Sequence, residues 1–99
     1  MMSKPKIYVF SVMEDGGDGL CYAMAEDGTV LGSHWCSNEQ WARYDLGVEE
    51  GHRPDRHEGY AKHYPDGYKM EFIPVAKLDT HKGFQRAYEL NRANQEKQS

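Results

Sequence analysis

Ninety-nine residues suffice for a single domain with its own core, burying roughly 60–70% of the surface that the unfolded chain exposes. Twelve basic against sixteen acidic side chains leave a net charge of −4, the wrong sign for a protein that neutralises phosphates, so nucleic acid is not an expected partner. Two cysteines exclude a disulfide-dense scaffold, the apolar run at residues 7–13 is too short for a secretory signal, and no segment reaches the ~18 apolar residues of a membrane span. The expectation is a soluble cytoplasmic protein with reduced thiols, no membrane attachment and no cofactor.

Residues 7–13 are rich in β-branched and aromatic side chains and predict a well-buried strand, followed by a Gly/Asp-rich hairpin connection over residues 14–18. Residues 19–25 predict a second strand and residues 30–36 a third. Between them stands Asp27-Gly28, the pair favoured in a two-residue type I′ turn because both central residues need positive φ. Such a loop pairs Glu26 with Thr29, Met24 with Leu31, Tyr22 with Ser33 and Leu20 with Trp35. One face of the ribbon then carries Leu20, Tyr22, Met24, Leu31 and Trp35. The opposite face carries Cys21, Ala23, Gly32, His34 and Cys36, with Ala25 and Val30, and its small side chains suit close approach by a helix.

Ser37 with Gln40 reads as a capping box, and Cys36 with Trp41 as the accompanying hydrophobic staple, so a short helix is predicted over residues 38–46, closed by Gly47. Residues 48–56, charged and holding Gly51 and Pro54, predict a loop. A second short helix over residues 57–64 accommodates Gly59. The run Tyr64-Pro65-Asp66-Gly67-Tyr68 is a turn. Residues 68–73 alternate as a strand, which Pro74 confines to a sheet edge or a strand end. Asp79 or Thr80 caps a last helix in which Phe84, Ala87, Tyr88 and Asn91 recur at helical spacing, and residues 92–99 form a fraying end. The order β-β-β-α-α-β-α gives one α+β domain over residues 1–99. Its antiparallel sheet has three meander strands plus a fourth, with helices packed mainly on the small-residue face.

Three kinds of chemistry are open to these residues. Cys21, His34 and Cys36 share a face in the proposed register, and zinc takes such ligands tetrahedrally, although buried cysteine also serves as a plain small hydrophobe. Cys36 lies just before a helix start, where a dipole depresses a thiol pKa, with His34 as a nearby base. An enzyme built on Asp45 and His57, with Cys36, requires those groups to converge in one pocket. The stretch from His57 begins like a zinc-protease helix, but position 61 is alanine, so that class is excluded. Residues 15–19 lack the twelve-residue pattern of a calcium loop and the Gly-Lys-Ser/Thr of a phosphate loop.

The aromatic side chains form the fullest set. Trp35, Trp41, Tyr44, Tyr60 and Tyr64 fall in the middle of the chain with Arg56, and aromatics beside arginine are enriched at binding hot spots. An exposed patch built from these six residues is the expected functional surface.

Residues 32–47, around Gly32-Ser33-His34-Trp35-Cys36-Ser37 and Tyr44-Asp45-Leu46-Gly47, resemble small uncharacterised proteins encoded by tailed bacteriophages and prophages. So do residues 57–68, from His57-Glu58-Gly59-Tyr60 to Pro65-Asp66-Gly67-Tyr68. The resemblance covers about a third of the chain and implies no activity. It implies a place in the bacterial cytoplasm, an accessory or host-takeover role such as inhibition of a host defence complex, and a host or phage protein as partner. The expectation is a non-enzymatic binding protein, with a small metal or ligand site at Cys21, His34 and Cys36 as the alternative.

Overall fold

A computed structural model of the protein describes residues 4–12 and 19–98. Four strands, β1 (Lys6–Ser11), β2 (Gly19–Ala25), β3 (Val30–Cys36) and β4 (Lys69–Ile73), make one sheet in the order β3-β2-β1-β4. Three helices, α1 (Glu39–Asp45), α2 (Pro54–His63) and α3 (Lys82–Gln98), accompany them, with a 3-10 turn at Val75–Lys77. The first three strands form the antiparallel meander, and β4 joins β1 in parallel at the sheet edge. The α+β class and the order of elements are those read from the sequence. A connection holding two helices separates β3 from β4, long enough to carry the chain from one sheet edge to the other. The end of the first strand at Met13 and the connection over residues 14–18 lie outside the described residues. Among those described, no helix is long and apolar enough to cross a membrane.

Alternation along the strands divides the core in two. Ile7, Val9, Cys21, Ala23 and Cys36 point to one side of the sheet and pack with Ala42, Leu46 and Tyr60 from the α1 and α2 region. Tyr8, Phe10, Met24 and Ile73 point to the other side and pack with Phe84 and Ala87 of α3. Two helices therefore lie on the small-residue face, as expected, and the third covers the opposite one. Because both faces of β1 are covered, its residues from Ile7 to Ser11 are buried without interruption.

The β2–β3 turn is one residue longer than the Asp-Gly pair suggests. Ala25 N–H donates to the Thr29 carbonyl at 2.8 Å and Gly28 N–H donates to the Ala25 carbonyl at 2.9 Å, so Glu26, Asp27 and Gly28 form the loop. Gly28 takes the left-handed conformation (φ 89°) and Asp27 does not. This is the three-residue hairpin solution, a tight turn closed by a left-handed glycine. Met24 consequently faces Val30 and not Leu31. A bulge at Leu31 then restores the expected pairs Tyr22↔Ser33, Cys21↔His34 and Leu20↔Trp35.

Helix starts differ from the sequence reading for local reasons. Asn38, in extended conformation, caps α1 by accepting from Trp41 N–H at 2.9 Å, so Ser37 is not the cap and Gln40 closes no box. Gly47 (φ 73°) ends that helix as expected. Helix α2 begins at Pro54, inside the segment read as a loop, because proline fits the first helical turn, where its missing N–H is no loss. His81, not Asp79 or Thr80, caps α3: its Nδ1 accepts from Phe84 N–H at 3.1 Å. The helix carries on to Gln98, through the segment read as a fraying end.

Candidate functional site

The junction of β3 and α1 gathers a histidine, a thiol and a carboxylate. His34 and Cys36, two apart on β3, present their side chains to the α1 side of the sheet. Helix α1 then delivers Asp45 from its last turn. The Cys36 Sγ lies 3.8 Å from His34 Nδ1 and 3.8 Å from Asp45 Oδ2, and His34 Nδ1 lies 3.5 Å from the same carboxylate oxygen. The other Asp45 oxygen lies 3.8 Å from Arg53 Nη1. Cys36 is buried and the His34 side chain is 46% exposed, so the cluster reaches solvent through its histidine.

Cys21 stands opposite His34, as the sequence register requires, and is fully buried. Its Sγ points to the Gly19 carbonyl at 3.8 Å, and the group of potential ligands that closes up is His34, Cys36 and Asp45. Both cysteines are free thiols. Burial, the neighbouring Cys21 thiol and the Asp45 carboxylate push the Cys36 thiol up to about 12. The reading of Cys36 as a dipole-activated nucleophile is corrected on that ground: desolvation and a facing negative charge both oppose thiolate.

Asp45 and His57, read as a catalytic pair, engage different partners. His57 Nδ1 shares a hydrogen bond with Tyr68 OH at 2.5 Å, and the two rings stack at 5.9 Å between centroids. Its Nε2 faces Gly47, where an added Cβ would stand only 3.1 Å away. Among the described residues no hydrogen bond or ion pair joins His57 to Asp45 or Cys36.

The six residues of the predicted aromatic surface separate into two groups. Trp41 and Tyr44 stand on the outer side of α1, 52% and 45% exposed, with their rings 5.9 Å apart at 84°. His52 lies 4.8 Å from Tyr44, and these three with Arg43, Glu49 and Phe72 surround a groove of about 680 Å³. The Arg43 guanidinium sits 5.6 Å over the Phe72 ring and 3.2 Å from Glu49 Oε1, filling the gap between α1 and β4. Phe72 and His52 are not among the six residues expected at this surface, since only the parallel addition of β4 and the fold of the 48–52 segment bring them here.

The remaining four lie elsewhere. Trp35 is 62% exposed, but alternation from Cys36 directs it to the face of β3 away from α1. Tyr60 is core, not surface, and its hydroxyl donates to the Leu46 carbonyl at 2.7 Å. Tyr64 OH accepts from Glu26 N–H at 3.2 Å, tying α2 to the hairpin. Arg56 lies under β3, where a Cβ on Gly32 would approach its Nη1 to 3.0 Å.

No protein-family model matches this chain, and no curated protein or solved structure matches it either. The functional reading therefore rests on the groove and the cluster.

Proposed function

We propose that this chain is a non-enzymatic binding protein whose α1 groove holds a partner protein of the bacterial host or of the phage. The observation that carries the reading is the Trp41–Tyr44 pair, half-exposed on a helix otherwise fixed to the core through Ala42 and Leu46. Two large rings held perpendicular on an anchored helix lose little freedom when covered, which is the property that makes tryptophan and tyrosine binding hot spots. The Arg43–Glu49 ion pair supplies a polar rim. Strand β4, which contributes Phe72, stands at the sheet edge, where a partner segment can add main-chain hydrogen bonds. In line with the resemblance read in the sequence of residues 32–47 and 57–68, the proposed partner belongs to an infected bacterium and the proposed role is inhibition of a host defence complex.

The test is quantitative capture of cross-linked complexes from bacterial lysate with wild type, a Trp41→Ala/Tyr44→Ala variant and Trp35→Ala. A stoichiometric protein is expected on wild type and on Trp35→Ala, and is expected to be lost on the double variant while its circular dichroism is unchanged. Equal recovery on all three, loss on Trp35→Ala alone, or no stoichiometric protein on wild type overturns the proposal.

A further inference from the structure

We infer that His34, Cys36 and Asp45 form a site for one divalent transition-metal ion of the zinc class. A tetrahedral ion bound at about 2.3 Å to sulfur, 2.0–2.1 Å to nitrogen and 2.0–2.2 Å to oxygen spaces its donor atoms roughly 3.4–3.6 Å apart. The three donor separations here are 3.5, 3.8 and 3.8 Å, so the side chains need to close by only a few tenths of an ångström around such an ion. Weak hydrogen-bond contacts can account for each side of this triangle taken singly. They do not require all three donor atoms to converge within 4.8 Å of one another, as they do here.

The donor types select the class of ion. Thiol and imidazole disfavour calcium and magnesium, which take all-oxygen shells, and suit zinc, cobalt or nickel. The scaffold is already in place on two rigid elements: β3 register fixes His34 and Cys36, and the last turn of α1 fixes Asp45. An outer group is in position as well, since Arg53 approaches the second Asp45 oxygen. Three protein donors leave a fourth position, and the exposed side of His34 places it toward solvent, open to water or to a donor from another molecule. The site is independent of the α1 groove. An ion here would nonetheless clamp the helix that carries Trp41 and Tyr44 to the sheet.

The experiment is titration of chelator-treated, reduced protein with Zn²⁺ and with Co²⁺ as the spectroscopic probe. One equivalent is expected to bind, with a thiolate-to-cobalt charge-transfer band and the visible spectrum of a tetrahedral ion. Cys36→Ser is expected to abolish the charge-transfer band. Asp45→Asn and His34→Gln, both checked for folding by circular dichroism, should weaken binding by at least the roughly 10–100-fold that losing even an outer-shell partner costs. Cys21→Ser should leave the band and the stoichiometry intact. Absence of a cobalt band overturns the site, as does unchanged affinity in Asp45→Asn and His34→Gln. Loss of the band in Cys21→Ser assigns the sulfur ligands to the two cysteines and overturns it too.

Discussion

Asn91 of α3 donates through Nδ2 to the carbonyl of Gly28 at 2.7 Å, which ties the tip of the β2–β3 hairpin to a helix 63 residues further along the chain. The contact leaves no room for a side chain. A Cβ on Gly28 would stand 2.5 Å from Asn91 N and 2.9 Å from Leu90 C, backbone atoms that cannot swing aside, and Gly28 is already left-handed at φ 89°. Gly28→Ala is thus strained in conformation and in packing, and a loss of roughly 2–4 kcal/mol is expected in urea unfolding. Asn91→Ala removes only the hydrogen bond and should cost about 1 kcal/mol. Near-equal midpoints for the two variants would show that the hairpin tip does not pack on α3 in this way.

The same hairpin shows what the sequence made legible. A two-residue loop was read where three residues turn, and the bulge at Leu31 was invisible, because no local rule marks it. The two one-residue errors cancel, so Cys21↔His34 and Leu20↔Trp35 emerged as read. Hydrophobic alternation constrains register strongly once both faces of a ribbon are covered, and that constraint survived the wrong turn. The sequence joins Asp45 to Cys36 only through a reading that also needs His57; that Asp45 meets Cys36 without it was not legible, since nine residues and a helix axis direction separate them. Tyr60 was misplaced for a related reason: composition shows that aromatics are numerous, but only the docking of α2 decides which of its faces turns inward. His81 escaped notice because histidine is an uncommon cap, and its role depends on which ring nitrogen carries the proton.

Tyr60 offers a measurement at the alkaline end. Burial pushes its hydroxyl up to about 12 from the ordinary 10.0, and that hydroxyl donates to the Leu46 carbonyl. A raised acid favours the neutral form in the folded state, so its stabilisation is complete below about pH 10 and declines as pH rises toward 12. Tyr60→Phe should cost about 1–2 kcal/mol at neutral pH through the unpaired carbonyl. It should also flatten the loss of stability between about pH 10 and about pH 12. An alkaline limb equally steep in Tyr60→Phe would assign that limb to other groups.

At the acid end the depressed carboxylates decide. Burial pushes Glu71 upward, but the hydrogen bonds and charges of Lys6 and His81 outweigh it and hold the group below its usual range. Arg53 holds Asp55 at about 2 through a two-pronged hydrogen bond. For Asp27, burial acts upward and is outweighed by hydrogen bonds from Thr29 and by His63. Each contribution is present above the unfolded carboxylate range near pH 4 and is lost as pH falls through the depressed values. Unfolding midpoints should therefore drop between about pH 5 and about pH 2, and Glu71→Gln should flatten the drop. A Glu71→Gln profile parallel to wild type would show that the Lys6–Glu71–His81 cluster contributes nothing to acid stability.

His81 links that cluster to the start of α3. Its Nδ1 accepts from Phe84 N–H while its Nε2 hydrogen-bonds Glu71, and Glu71 in turn accepts from Lys6 Nζ at 2.9 Å. One ring thus caps a helix and anchors it to the parallel strand pair β1–β4. His81→Ala removes both functions and should cost roughly 1–3 kcal/mol, the sum of a lost cap and a lost partly buried hydrogen bond. His81→Asn replaces the cap with a side chain suited to it and should recover about 1 kcal/mol of that loss without restoring the link to Glu71. The link can be isolated by a double-mutant cycle: on the His81→Asn background, Glu71→Gln should cost less than it does in wild type. Additive effects in that cycle would show that the cap and the Lys6–Glu71–His81 cluster act separately.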